Sequence, residues 1–211
     1  MRFADRRQAG EMLGRAVAEF EPTDALVAAL PRGGVPVGFE VAEALDCPLD
    51  VLVVRKVGVP YQPELAMGAV AEGGVVIRND EVLSAARISG KEFDSAVELA
   101  RRELNQRLAA YRDVVDPVDP GNRTVIVVDD GLATGSTAMA ALAAARARGA
   151  IQAWLAVPVA PGETLKKMEA HADEVIVLHH PRRFMAVGAW YQNFAQTSDD
   201  EVRDLLARSR D

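Results

Sequence analysis

The sequence predicts an α/β fold, a doubly wound and mainly parallel sheet flanked by helices, and three observations carry that expectation. Apolar, β-branched runs alternate along the chain with stretches of helical period, the order expected of parallel strands joined by crossover helices. The run Val125-Ile-Val-Val128 is apolar without alternation, as a strand covered on both faces must be. The 211 residues, 49% hydrophobic and 26% charged, can bury one substantial core, so a single domain over 1–211 is expected.

The elements follow in order. Ala9, Leu13, Ala16, Val17 and Phe20 recur at helical spacing, which predicts a helix from Asp5 to Phe20 with Asp5 as its cap. Ala25–Leu30 reads as a first strand, Val35–Leu45 as a helix after a glycine turn, and Asp50–Val54 as a second buried strand. Ala66–Val70 and Val75–Ile77 read as a hairpin across Glu72-Gly-Gly74. Ser89-Gly-Lys-Glu92 is a capping box opening a long polar helix from Lys91 to Arg112, part of a helical insertion over about 81–115. Pro117–Gly121 is a linker into the strand at Val125. An alanine-rich helix from Ala138 to Arg148, strands at Ile151–Val157 and Glu174–Leu178, and a helix near Gly162–Ala170 complete the alternation. Ser198-Asp-Asp-Glu201 is a second capping box, starting a terminal helix.

Composition narrows the function. A formal charge of −7 argues against general nucleic-acid binding, and no apolar run is long enough to span a bilayer. No signal-peptide pattern opens the chain, so a cytoplasmic location is expected. Cys47 is the only cysteine, which excludes an internal disulfide or a cysteine-based metal cluster. His179 and His180 are adjacent on a strand, point to opposite faces, and are not expected to share a metal.

The densest chemistry follows the strand at Val125. Asp129 and Asp130 stand at its carboxyl end, then Ala133, Thr134, Gly135, Ser136 and Thr137 lead into the alanine-rich helix. A glycine turn feeding a helix N-terminus offers free N–H groups and a positive dipole end, a seat for a phosphate. The hydroxyls of Thr134, Ser136 and Thr137 add donors. Carboxylates would repel that phosphate, but they suit the donating hydroxyls of a sugar. Phosphate and diol side by side describe a ribose 5-phosphate.

This stretch, an apolar strand followed by Asp-Asp and Thr-Gly-Ser-Thr, resembles the signature of the type I phosphoribosyltransferases, which use 5-phosphoribosyl 1-pyrophosphate (PRPP). The likeness extends over roughly Ala25–Phe194 and is nearest to a bacterial group of predicted phosphoribosyltransferases. It implies transfer of phosphoribosyl to a nitrogenous acceptor, such as a nucleobase in nucleotide salvage, with release of pyrophosphate. It also implies Mg2+, with Asp129 and Asp130 near the ion directly or through water and holding the ribose hydroxyls. Arg32, Gly33 and Gly34 inherit the pyrophosphate loop, and Arg55 and Lys56 match an Arg-Lys pair of adenine-type members that contacts PRPP. A hood from about 179–197 would hold the acceptor, with Phe184, Trp190, Tyr191 and Phe194 as candidates for stacking; core packing explains those aromatics as well. Glu64 reads as a mechanistic acid, a ligand to magnesium-bound water, or a surface residue. Six-oxopurine enzymes carry an aspartate where this chain has Ala133, so oxopurine salvage is not expected. The long polar helix either lengthens the hood or builds a homodimer contact. Two other readings of the same residues are a non-catalytic PRPP sensor and a magnesium-dependent nucleotide or sugar-phosphate hydrolase.

Overall fold

The computed structural model describes residues 2–209. Helix α1 (Arg6–Ala18) starts at Asp5, whose carboxylate accepts from the Gln8 N–H at 2.9 Å. Strand β1 (Ala25–Ala29), helix α2 (Gly34–Leu45) and strand β2 (Leu49–Val51) follow. The chain then leaves this first sheet. Strands β3 (Val54–Val59), β4 (Gln62–Ala71) and β5 (Val76–Arg78) make a separate antiparallel sheet in that order. Helices α3 (Asp80–Ala85) and α4 (Gly90–Arg112) come next, and the Ser89–Glu92 capping box of α4 is formed in both directions. Strand β6 (Thr124–Val128), helix α5 (Ser136–Ala147), strand β7 (Gln152–Val159), helix α6 (Gly162–Met168) and strand β8 (Glu174–His179) alternate toward the tail. Helix α7 (Asp199–Arg208) ends the described chain, its Glu201 N–H donating to the Ser198 hydroxyl at 3.0 Å.

The larger sheet has the order β2-β1-β6-β7-β8, with every neighbouring pair parallel. This is the doubly wound arrangement that the alternation of elements predicts. From β1 the chain moves outward to β2, then returns to the other side of β1 as β6. The loops leaving β1 and β6 therefore diverge to opposite faces and open a crevice at the strands' carboxyl ends, where such sheets bind ligands.

Alternate residues of the central strands feed two cores. Val27 and Ala29 of β1 and Ile126 and Val128 of β6 face the core shared with α1, α2, α4, α7 and the small sheet. Leu26, Ala28, Val125 and Val127 face the core under α5 and α6. The small side chains of Ala138, Ala141, Ala144 and Ala145 let α5 lie close on the sheet.

Two departures from the sequence expectations matter for the site. The strand expected over Asp50–Val54 is broken: β2 ends at Val51, and Val54 already belongs to β3 of the second sheet. Arg55 and Lys56 thus lie inside a strand of that sheet, not at the end of a buried strand of the main one. The tail after β8 is also tied to the start of the chain. The Phe3 N–H donates to the Trp190 carbonyl at 2.8 Å, and the Gln192 N–H donates to the Phe3 carbonyl at 2.8 Å.

Candidate active site at the strand switch point

The crevice between β1 and β6 is built by two loops pressed together. After β1, the cis peptide between Pro31 and Arg32 leads to Gly33 and Gly34, where α2 begins. After β6 stand Asp129 and Asp130. A Cβ on Gly33 would lie 2.1 Å from Asp130 Oδ2, and one on Gly34 would lie 2.6 Å from the Val128 carbonyl oxygen and 2.9 Å from Asp129 Cα. Gly33 has ordinary right-handed dihedrals, so close approach explains this glycine pair.

The two carboxylates differ in what they touch. Asp130 Oδ2 receives the Arg6 guanidinium, Nε at 2.9 Å and Nη2 at 2.8 Å. Arg6 also donates to the Ala195 carbonyl at 2.7 Å and lies 3.9 Å above the centre of the Phe194 ring. The Asp130 carbonyl accepts the Tyr191 hydroxyl at 2.6 Å. Asp129 accepts the Asp130 N–H on Oδ1 at 2.9 Å. Burial pushes the Asp129 carboxyl well above the usual carboxylate range, and the neighbouring Asp130 charge adds to that. Burial raises Asp130 too, and Arg6 opposes the rise.

The loop that follows is open to solvent at Ala133, Thr134, Ser136 and Thr137. Gly135 caps α5 with φ +76°, and a Cβ there would meet Met168 and Thr164 side-chain atoms at 2.9 Å. No side chain caps the helix, and the nearest side-chain acceptor to its first amide is Thr134 Oγ1, 3.5 Å from the Ser136 nitrogen. The Ala133 carbonyl accepts the Thr164 hydroxyl at 2.7 Å, which fixes the loop to α6. Exposed hydroxyls thus surround a helix N-terminus whose first amide makes only a long bond to Thr134, an arrangement that can seat an anion.

A cleft of about 200 Å3 beside this seat is lined by Leu30, Pro31, Leu52, Val53, Val54, Arg55, Arg107 and Thr137. Arg55 pairs with Glu103 of α4, and Lys56 pairs with the exposed Glu64 at 2.9 Å. Arg32 lies 3.6 Å from Asp199 at the start of α7, and that carboxylate also accepts the Tyr111 hydroxyl at 2.7 Å.

Both loops of the crevice fall within one family match. A model of the phosphoribosyl transferase domain matches residues 6–189. The chain belongs to the phosphoribosyl transferase domain family. It is 46% identical over 207 residues to a curated Mycobacterium tuberculosis protein named "Putative phosphoribosyl transferase", covering 98% of this chain and 47% of that one. The chain thus spans about half the length of the curated relatives it matches. The crystal structure of the protein TT1426 from Thermus thermophilus superposes with TM-score 0.92 at 40% identity, covering 99% of both chains. A hypoxanthine-guanine phosphoribosyltransferase from Bacillus anthracis superposes with TM-score 0.50 at 11% identity, over 86% of this chain and 84% of that one, a likeness of fold alone.

Within the family frame, the structure gathers Gly33, Gly34, Asp129, Asp130 and the loop 133–137 around the crevice, with Arg55 at its edge, while the Arg32 side chain turns to Asp199 and that of Lys56 to Glu64. The aromatics of the tail divide between the two readings the sequence left open, packing and exposure to an acceptor. Tyr191 is only 2% exposed and packs against Phe3 and Phe194, with its hydroxyl committed to Asp130. Its role here is packing, not the stacking of an acceptor ring. Trp190 packs against His179, with ring centres 4.8 Å apart and planes tilted by 59°, while Phe184 and Phe194 stay partly open. Sequence reasoning missed Arg6 and Arg107. Each is one arginine among several on a polar helix, and only the tertiary fold brings it to the crevice.

Proposed function

We propose that this chain is a PRPP-dependent phosphoribosyltransferase. The observation that carries the reading is the contact of two carboxylates with a glycine loop, Gly33 and Gly34, beside an exposed hydroxyl-rich helix N-terminus at the sheet's switch point. Thr134, Ser136, Thr137 and the first amides of α5 hold the 5′-phosphate. Asp129 accepts hydrogen bonds from the ribose hydroxyls. Asp130, oriented by Arg6, supports it from the adjacent position. Arg32 with the amides of Gly33 and Gly34 takes the diphosphate, and Arg55 and Lys56 close on it from the second sheet.

With the ligand fixed at both ends, the C1–oxygen bond to the diphosphate breaks as the acceptor nitrogen forms its bond to C1. Positive charge develops on the ring meanwhile. Fixed positioning and preorganised charge lower the barrier to this displacement. The donors present suit magnesium. Among the described residues no three metal-ligating side chains come together, yet two adjacent carboxylates face the diphosphate loop, and magnesium binds through one or two carboxylates plus substrate oxygens and water. When bound, the ion neutralises charge on the leaving diphosphate. Phe184, Trp190 and Phe194 are the proposed acceptor contacts.

Binding and turnover test this reading separately. PRPP with magnesium at about a hundred times its dissociation constant adds roughly 2.7 kcal/mol of stability, read as a rise in Tm. A folded sample with no shift at millimolar PRPP overturns the reading. Pyrophosphate release against a panel of bases then identifies the acceptor. Ala133 leaves no carboxylate beside the acceptor, and a positioned base contributes a factor of about 10²–10⁴. Hypoxanthine and guanine are therefore expected to be poor substrates, and rapid turnover of either contradicts the role given to Ala133.

A further inference from the structure

We propose that α4 belongs to the substrate site, and that Arg107 on it is a diphosphate-binding residue; this rests on the PRPP reading above. Arg107 is half-buried and lines the 200 Å3 cleft together with Pro31 at the foot of the diphosphate loop, Arg55 and Thr137. It lies one helical turn beyond Glu103, on the same face of α4, and Glu103 is the residue that pairs with Arg55. The two guanidiniums thus approach one cleft from two elements.

Three neighbouring cations are held in direct ion pairs. Arg55 has Glu103, Arg101 has Glu98, and Arg112 has Asp50 and Glu72. Arg107 donates to the Tyr111 hydroxyl, which in turn donates to Asp199 at 2.7 Å, so its counter-charge is reached only through that hydroxyl and no direct ion pair is formed among the described residues. A half-buried guanidinium that spends one donor on a neutral hydroxyl keeps its remaining donors for an anion in the cleft it lines. The diphosphate is the anion left to it. The 5′-phosphate has the helix amides and hydroxyls of residues 134–137, whereas the Pro31 side of the cleft leads to the diphosphate loop.

Held in place by Arg112, which binds the Asp50 and Glu72 carboxylates one turn further on, α4 presents Arg107 from a fixed base. The dissociation constants of PRPP, inorganic pyrophosphate and ribose 5-phosphate, each with magnesium, test the proposal on the full chain. The variants are Arg107→Gln, Arg107→Lys and, as a control on the exposed side of α4, Arg102→Gln. Loss of a charged hydrogen bond of about 1.5–3 kcal/mol corresponds to roughly tenfold or more in affinity. Arg107→Gln is expected to weaken PRPP and pyrophosphate by that factor and to leave ribose 5-phosphate unchanged. Arg107→Lys recovers most of the loss, and Arg102→Gln changes nothing.

Unchanged PRPP and pyrophosphate affinity in Arg107→Gln overturns the proposal, as does a loss confined to ribose 5-phosphate. If Arg107→Gln does not fold, Arg107→Met, which keeps the length of the stem and removes the charge, takes its place: weakened pyrophosphate with wild-type affinity for ribose 5-phosphate supports the assignment, and unchanged affinity for both overturns it. A wild-type protein that binds neither PRPP nor pyrophosphate is a different failure, that of the PRPP reading itself.

Discussion

Asp129 and Asp130 are consecutive, carry the same group, and sit in different surroundings. Asp130 is held by Arg6, while Asp129 has only a backbone amide among its close partners and is pushed upward by burial. A carboxyl whose folded pKa is raised favours the protonated native state. Its contribution to stability is complete below the unfolded value near 3.8 and is lost as pH rises through the raised folded value. The ligand-free protein is therefore expected to lose stability at Asp129 as pH climbs from the acidic range toward neutral. Other carboxylates give the opposite slope, so the measurement is a difference: urea unfolding of wild type and Asp129→Asn across that range. The variant should gain on the wild type as pH rises, and a constant difference contradicts the account. The carboxylate pair and the hydroxyl loop were legible because their spacing is local. Arg6 was not, because its partner Asp130 is 124 positions away.

Whole elements were legible where periodicity and caps agree, as in α1 with Asp5, α4 with Ser89–Glu92, and α7 with Ser198. The break between β2 and β3 was not. Val51-Leu-Val-Val54 is one apolar run, and all four residues find apolar surroundings although the chain changes sheet within it. Periodicity reports burial and is blind to which sheet supplies it. At this scale the two turn elements make a further prediction. Gly34→Ala places a methyl against the backbone at Val128 and Asp129 and forces the loop after β1 off the strand. Gly135→Ala adds a left-handed φ to contacts with Met168 and Thr164. Each is expected to cost about 1–3 kcal/mol. Gly34→Ala should weaken pyrophosphate, and Gly135→Ala should weaken ribose 5-phosphate. Gly162→Ala, whose Cβ meets open space, is the control. Denaturant midpoints and binding titrations read both effects, and equal behaviour of all three variants contradicts the loop assignments.

At the scale of the molecule, the second sheet and α4 are fastened to the main sheet by one ionic cluster. Arg112 binds Asp50 on β2 and Glu72 after β4, and Asp50 also accepts the Val118 N–H at 2.9 Å. Asp50 is only 3% exposed, so removal of Arg112 leaves buried negative charge without its partner. Arg112→Met is expected to cost about 3–5 kcal/mol in chemical denaturation. Arg101→Ala, a more exposed ion pair on the same helix, should stay within about 1 kcal/mol of wild type. Similar losses in both variants contradict the fastening role. None of this was legible in the sequence, since no local pattern joins positions 50, 72 and 112. The switch point carries one more consequence. Strands β1 and β6 pair from Ala25↔Thr124 to Ala29↔Val128, and nearly half the chain lies between them. The crevice thus has no existence in either half of the polypeptide alone; it appears when that long loop closes and the two strands register. A ligand spanning both loops bridges distant stretches of chain, and its binding energy weighs directly on the most non-local strand pairing of the main sheet.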